Sequence, residues 1–97
     1  MNQITIAEAK KLINDNENVL VLDVRTQEEY TVGHILESIP IPANELPLRI
    51  HEIEEYYDKP VIVHCQSGRR SPAVVLFLEN NGFKEIYHMY EGYKKWR

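Results

Sequence analysis

The sequence predicts an α/β domain built around a mainly parallel sheet. Two observations support this fold class: short apolar runs recur along the chain, and segments with a helical spacing of apolar residues lie between them. A run that is apolar at nearly every position is typical of a strand buried on both faces, as in a parallel sheet covered by helices. Over 97 residues this alternation fits a single domain, which we assign to residues 1–97.

The first predicted helix and strand lie near the beginning of the chain. Thr5 and Glu8 have the spacing of a capping box, so a helix is expected to begin after Thr5. Its apolar residues fall on one face, and the polar run 14–18 ends it. Residues 19–24 (VLVLDV) follow as a buried strand.

A second helix and a short strand come next. Thr26 and Glu29 repeat the capping-box spacing, so we expect a helix that reaches about Gly33. Residues 38–42 alternate in hydrophobicity as a strand does. The two prolines within this segment limit it to a short strand or to an edge strand, because proline lacks the N–H that pairs strands.

The second half of the chain repeats the alternation of helices and strands. Apolar residues with helical spacing predict a helix over residues 46–57, with Pro47 in its first turn. A further helix is expected to have Ser71 as its N-cap, Pro72 at its first position and Gly82 as its stop signal. The remaining predicted elements are a buried strand over residues 61–64, a last strand over 86–89 and a terminal helical turn over 93–97.

Composition excludes several classes of function. The net charge of −4 argues against a nucleic-acid partner or an attraction to anionic membranes. No apolar run approaches the ~18 residues of a membrane span. One cysteine cannot form an internal disulfide, and the four histidines show no metal-ligand spacing, so we expect no metal and no cofactor. We therefore expect a cytoplasmic protein, and we expect it to be a monomer.

The loop over residues 65–71 (CQSGRRS) concentrates the chemistry. Ligands of parallel α/β sheets bind at the carboxyl ends of the strands, and this loop follows a buried strand and precedes a helix. Backbone N–H groups of such a loop converge on one concave spot and bind anions. A cysteine at a helix N-terminus beside Arg69 and Arg70 has a thiol pKa below its ordinary ~8.5. Cys65 is therefore the candidate nucleophile, although a lone cysteine is more often a small buried hydrophobe.

At this point the sequence resembles the rhodanese-like family over nearly the whole chain. Residues 22–30 (LDVRTQEEY) with 33–35 (GHI) resemble its first signature, and residues 60–71 resemble its active-site segment. Gly82-Phe83 and the ending from Glu91-Gly92 to Trp96 also agree. The resemblance implies a three-layer α/β/α fold with a central, mainly parallel sheet of four to five strands.

The same resemblance implies a sulfurtransferase that acts through a persulfide on Cys65. The donor would be a small anion such as thiosulfate or a protein that carries a persulfide, and the acceptor would be cyanide or a thiol. The residues of the loop would bind the substrate: Gln66, Ser67, Gly68, Arg69, Arg70 and Ser71. Asp23 and Arg25, at the neighbouring strand end, would support the site through an ion pair.

The sequence departs from the family pattern at three places: residues 36–38, Glu91, where the family often has a second glycine, and His64, where an aromatic or small residue is more usual. The family has Pro-Gly-Ala where this chain has Leu36-Glu37-Ser38, so the local shape of that loop is open to test. Two adjacent arginines also make the loop after Cys65 more basic than in many relatives, which favours anionic donors.

Other functions remain as alternatives. Cysteine phosphatases and arsenate reductases also place His-Cys before an anion-binding loop, but their signature has five residues between cysteine and arginine. Here four residues separate Cys65 from Arg70, which favours sulfur over a tetrahedral phosphate. A non-catalytic interaction module of the same fold is the other alternative. A thioredoxin-type redox role is disfavoured, because no second cysteine is present to resolve a disulfide.

Overall fold

A five-stranded parallel sheet forms the centre of the computed structural model, which describes residues 2–96. In chain order the elements are β1 Asn2–Ile4, α1 Ile6–Asp15, β2 Leu20–Asp23, α2 Gln27–Val32, β3 Ile39–Pro40, α3 Leu46–Arg49, β4 Pro60–His64, α4 Ser71–Asn80 and β5 Glu85–Met89. The strands lie in the order β1-β5-β4-β2-β3 in the sheet. Short 3₁₀ turns cover Ala43–Glu45, Ile50–Tyr56 and Tyr93–Lys95.

Apolar side chains fill both faces of the sheet. On β4, Val61 and Val63 belong to the core cluster that contains the buried apolar residues of α4, whereas Ile62 belongs to the cluster that contains Ala9 of α1. This division follows from the alternation of side chains along a strand. The predicted three-layer α/β/α fold is therefore confirmed, and the sheet has five strands.

Both predicted capping boxes are present. The Thr5 hydroxyl accepts from the Glu8 N–H while the Glu8 carboxylate accepts from the Thr5 N–H, and Thr26 and Glu29 do the same. Each box supplies partners to N–H groups that the first turn of a helix leaves free. The first box therefore sets the start of α1, and the second sets the start of α2.

Strand β1 has no counterpart among the predicted elements. It contains three residues, and only Ile4 is buried, so no alternation of hydrophobicity identifies it. Its pairing with β5 stabilises it, with Gln3 opposite His88 and Ile4 opposite Met89.

The predicted helix over residues 46–57 is a short α-helix that continues as 3₁₀ turns. Leu46 and Ile53 are buried, as the apolar spacing required, but Ile53 has a non-helical backbone with φ −121° and ψ 16°. Helical spacing identified the buried face correctly. Helical spacing does not predict the kink at Ile53, because residues on the same face are buried before and after the kink.

Ser71 is not the N-cap of α4, contrary to the prediction. It is the first residue of the helix, Arg70 precedes it as the cap residue, and no side chain caps this end. The Ser71 hydroxyl instead contacts Cys65 and His88. The Ser71 hydroxyl therefore makes contacts in the interior and does not cap the helix. Within residues 2–96, no helix is both long enough and apolar enough to span a membrane.

Candidate active site

The carboxyl ends of β2 and β4 lie side by side and form the base of the candidate site. Asp23 at the end of β2 is in register with His64 at the end of β4. Cys65 follows immediately, and the loop 65–70 leads into α4. Because both strands are parallel, the two segments singled out from the sequence meet at one edge of the sheet.

The sulfur of Cys65 is buried but has polar neighbours. Its residue has no exposed surface and belongs to the apolar cluster under α4. The N–H of Gly68 donates to Sγ at 3.2 Å, and the Ser71 hydroxyl lies 3.2 Å from it. Burial raises the pKa of the Cys65 thiol, but the Ser71 hydroxyl and the backbone N–H groups of Ser71, Arg70 and Ser67 lower that pKa by more. The net pKa is lowered, which favours the nucleophilic thiolate.

The loop is held in place by the segment after β5. The N–H of Tyr93 donates to the Cys65 carbonyl at 2.9 Å, and the N–H of Lys94 donates to the Gln66 carbonyl at 3.1 Å. Gly92 (φ 79°) and Gly68 (φ 82°) both have left-handed backbones. A side chain at Gly92 would collide with the Gln66 carbonyl, and one at Gly68 would collide with the Tyr90 carbonyl. Glycine is therefore required at both points of contact.

Asp23 and Arg25 form a buried ion pair beside the loop. Arg25 Nη2 lies 2.8 Å from Asp23 Oδ2, and both side chains are almost completely buried. The same guanidinium donates to Gln66 Oε1 at 3.0 Å and to the Gly33 carbonyl at 2.7 Å. It also lies 4.2 Å from the centre of the Tyr93 ring. Arg25 thus joins the end of β2 to the start of the loop. Asp23 supplies the opposite charge that the buried guanidinium of Arg25 needs.

A cavity of about 400 Å³ opens next to the loop. It is lined by Arg25, Glu29, Val32, Gly33, Gln66 and Tyr93. Cys65 does not line the cavity, but Gln66, the next residue of the loop, does. Arg69 and Arg70 are both exposed, and Arg70 donates two hydrogen bonds to the Glu29 carboxylate, at 2.8 and 3.0 Å. This ion pair lowers the pKa of Glu29 to about 2, so the carboxylate that lines the cavity is ionised at neutral pH.

His64 lies on the opposite side of β4 from the thiol. Its Nδ1 lies 3.2 Å from the Cys65 carbonyl, and its ring stacks near that of Tyr93. Nε2 has no hydrogen-bond partner among the described residues and lies 3.8 Å from Asp23 Oδ2. Burial lowers the pKa of His64, against the opposing effect of Asp23, so the ring is neutral at neutral pH.

Three further residues at the site were not identified as functional from the sequence. Glu29 pairs with Arg70, Gly92 contacts the loop, and His88 on β5 reaches the Ser71 hydroxyl. In the sequence analysis, Glu29 and Gly92 appeared only as members of the segments that resemble the family, with no role at the site. The side of the sheet that His88 faces follows from the alternation of β5, but its neighbours depend on the strand order. Within residues 2–96, no group of three histidine, cysteine or acidic side chains is arranged to hold a metal ion.

Comparison with family models identifies one family. The family model of the rhodanese-like domain matches residues 5–97. A rhodanese-like domain protein from Staphylococcus aureus superposes with a TM-score of 0.89 at 30% sequence identity, covering 100% of this chain and 92% of that one.

Two curated relatives show the range of proteins that contain similar sequences. A sulfurtransferase from Allochromatium vinosum is 29% identical over 99% of this chain and 88% of its own length. A tRNA uridine(34) hydroxylase from Cronobacter sakazakii is 32% identical over 89% of this chain, but the match covers only 26% of that protein. The chain therefore spans about a quarter of the length of such hydroxylases.

Proposed function

This chain is a member of the rhodanese-like domain family, and we propose that it is a sulfurtransferase in which Cys65 carries a sulfane sulfur as a persulfide. The observation that carries the proposal is the environment of the Cys65 sulfur. It sits inside a loop whose N–H groups and Ser71 hydroxyl lower its pKa despite complete burial. A thiolate in such a position is an activated nucleophile.

The proposed reaction proceeds in two displacements. In the first, the Cys65 thiolate attacks the outer sulfur of thiosulfate. A bond forms between Sγ and that sulfur, the bond from that sulfur to the sulfonate group breaks, and sulfite leaves with the electron pair. In the second, cyanide or an acceptor thiolate attacks the terminal sulfur of the persulfide. The bond to Sγ then breaks and the Cys65 thiolate is regenerated, as in other covalent double displacements.

The donor is proposed to be a small anion such as thiosulfate, and a protein that carries a persulfide is the alternative. The cavity beside the loop is large enough for such a small anion. Arg69 is exposed at the loop and no described residue forms an ion pair with it. A nearby cation of this kind attracts anionic donors over distances of about a Debye length, ~8 Å in physiological salt.

The hydroxylation of tRNA named for the longer relatives is not proposed for this chain. That activity belongs to proteins of which this chain matches 26% of the length. The A. vinosum sulfurtransferase, which this chain matches over 88% of its length, supports sulfur transfer instead.

Phosphatase activity, the alternative enzyme, is disfavoured by the position of Arg70. Recognition of a phosphate by arginine uses the paired N–H groups of the guanidinium. In this structure those groups bond the Glu29 carboxylate on α2. Hydrolysis of an aryl phosphate by the purified protein, lost in Cys65→Ser, would favour the phosphatase instead.

Intact-mass spectrometry after exposure to thiosulfate tests the proposal. The wild-type protein should gain the mass of one sulfur atom, and a reductant should remove it. Cys65→Ala should gain nothing under the same conditions. If the wild type gains no sulfur from thiosulfate or from a small-molecule persulfide, the non-catalytic interaction module becomes the better description.

A further inference from the structure

A line of hydrogen-bonding side chains leads from the thiol of Cys65 to the edge of the sheet. Cys65 Sγ lies 3.2 Å from Ser71 Oγ, which lies 2.6 Å from His88 Nε2. His88 Nδ1 in turn lies 2.9 Å from Gln3 Oε1 on the edge strand β1. Cys65, Ser71 and His88 are buried, whereas Gln3 is exposed. The line therefore joins a buried thiol to the surface.

The chemistry of each atom fixes where the protons lie in the resting state. Gln3 Oε1 can only accept a hydrogen bond, so His88 Nδ1 carries a hydrogen and donates it. In a neutral imidazole this leaves Nε2 as an acceptor for the Ser71 hydroxyl. The oxygen of Ser71 then has a lone pair free to accept the S–H of Cys65.

The surroundings of His88 keep its ring neutral in the resting state, so Nε2 has a free lone pair. Its partners are Gln3 on β1 and Ser71 on α4, and Val63 lies in register with it on β4; none of the three is charged. Burial lowers the pKa of His88, and no charged group contributes to that shift. The only titratable group on the line besides His88 is the thiol of Cys65.

We propose that His88 is a positioning residue that accepts the thiol proton of Cys65 through the Ser71 hydroxyl. The S–H bond breaks as Ser71 Oγ takes that proton, and the former hydroxyl proton of Ser71 forms a bond to His88 Nε2. One proton moves from sulfur to imidazole, and no electron is gained or lost. The Ser71 hydroxyl now donates to the thiolate, and Gln3 continues to accept from His88 Nδ1.

This inference deepens the proposed function and rests on it for the role of Cys65 in sulfur transfer. Its test uses the ionisation of the thiol, which can be measured without any sulfur donor. The rate of Cys65 alkylation by iodoacetamide is followed across the pH range in which a free thiol of pKa ~8.5 titrates.

The main variant is His88→Gln, which keeps an amide near the Ser71 hydroxyl but cannot take a proton. We expect the midpoint of the alkylation profile to rise by about one pH unit relative to the wild type. At neutral pH the rate should fall about tenfold, and at high pH it should recover to that of the wild type. Ser71→Ala should also raise the midpoint, because it interrupts the line. His51→Gln, at an exposed histidine, is the control and should leave the profile unchanged.

A His88→Gln profile identical to the wild-type profile, with Ser71→Ala still shifted, would show that His88 only packs against Ser71. Should His88→Gln fail to fold by circular dichroism, the wild type provides the test through ¹⁵N NMR of its histidine rings. The His88 Nε2 signal should then change as Cys65 titrates and should not do so in Cys65→Ala. If the His88 Nε2 signal does not change as Cys65 titrates, the inference is wrong.

Sulfur loading from thiosulfate, measured on the same proteins, separates the two proposals. If the wild type takes up no sulfur but the alkylation midpoint of His88→Gln still lies above that of the wild type, the proposed function is contradicted and the role of His88 is supported. A wild type that loads sulfur while His88→Gln keeps the wild-type profile would do the reverse.

Discussion

At the scale of single residues, the site depends on how charges are paired. The Asp23–Arg25 pair is buried and has hydrogen-bond partners in the loop and at Gly33. Removal of one partner would leave an uncompensated buried charge, which costs several kcal/mol. The Glu29–Arg70 pair is partly exposed, and exposed pairs of this kind contribute about 0–1 kcal/mol to stability. The first pair is therefore structural, whereas the second can be altered without loss of the fold.

Glu29→Gln should improve the use of an anionic donor. Glutamine still accepts from the Thr26 N–H, so the capping box of α2 survives, but Arg70 loses its counter-ion. We expect KM for thiosulfate to fall by about two- to fivefold, which corresponds to the energy of an exposed charge pair. Steady-state transfer of sulfur from thiosulfate to cyanide measures the effect.

Arg70→Gln provides the matched comparison, and it should raise KM. Glu8→Gln removes a charge from the equivalent capping box of α1 and should change neither kcat nor KM. If Glu29→Gln raises KM, then Arg70 needs its pairing with Glu29 to hold the loop, and its role as a donor-binding cation is wrong.

Glu37→Gly should stabilise the protein. Glu37 is the only non-glycine among the described residues with a positive φ, 69°, and it occupies the position where the family pattern has glycine. The left-handed conformation costs a residue with a Cβ about 1–2 kcal/mol, part of which the greater freedom of glycine in the unfolded chain offsets. We expect a net gain of about 0.5–1 kcal/mol in the free energy of unfolding by urea.

The control for Glu37→Gly is Glu17→Gly, which also replaces an exposed glutamate in a turn but at a position without a positive φ. This variant should be destabilised slightly, because glycine there only adds freedom to the unfolded chain. Equal effects at the two positions would mean that the backbone at Glu37 is not strained.

At the scale of elements, the loop after β4 is shaped by the segment after β5 as much as by its own sequence. Two backbone hydrogen bonds, from Tyr93 and Lys94, join the two segments. Gly68 and Gly92 allow their backbones to approach closely. The convergence of N–H groups on the sulfur of Cys65 therefore depends on where the chain passes after its last strand.

Gly92→Ala should weaken both the fold and sulfur loading. An added Cβ would collide with the Gln66 carbonyl and would also strain the left-handed backbone. Gly82→Ala is the control, because Gly82 has a similar φ of 91° but open space around the new Cβ. Gly92→Ala should lose at least about 1 kcal/mol more stability than Gly82→Ala in urea unfolding, since only the first forces a backbone contact apart.

Sulfur loading by mass spectrometry separates the two glycine variants further. Gly82→Ala should load sulfur like the wild type, because Gly82 follows the end of α4 that is remote from the loop. Gly92→Ala should load more slowly even where the protein is fully folded. Equal loading by both variants would mean that the loop keeps its shape without the segment after β5.

At the scale of the whole molecule, two buried neutral histidines make the fold sensitive to acid. Burial lowers the pKa of His64 and of His88 in the folded protein, whereas in the unfolded chain a histidine has its ordinary pKa of about 6.5. Below that pH the unfolded chain therefore binds more protons than the folded one. By linkage, stability must fall as pH decreases through this range.

We expect the free energy of unfolding to fall by about 1–3 kcal/mol between roughly pH 7.5 and pH 5.5, since each histidine contributes at most about 1.4 kcal/mol per pH unit. Urea unfolding at the two pH values measures it. The Glu29 carboxylate affects stability in a lower pH range. Its pKa in the folded protein is about 2, so the stability that it contributes is fully present above the unfolded pKa of 4.5 and is lost as pH falls towards 2. Constant or greater stability at pH 5.5 would show that the histidines accept protons in the folded state.

The fold class, the capping boxes and the candidate nucleophile could be predicted from the sequence alone, because they depend on spacing and residue type within short segments. Residues 19–24 and 61–64 predicted buried strands, and Cys65 was placed at the end of the second. Such features need only local periodicity and the preferences of helix and strand ends.

The distant side chains that meet at the site could be identified only from the folded chain. Ser71 was expected to cap its helix, but its hydroxyl lies between Cys65 and His88, which β5 places next to β4. Strand β1 has a single buried residue and is stabilised by its pairing with β5. The same pairing places Gln3 opposite His88. The order of strands in a sheet is set by non-local packing, which no pattern within one segment records.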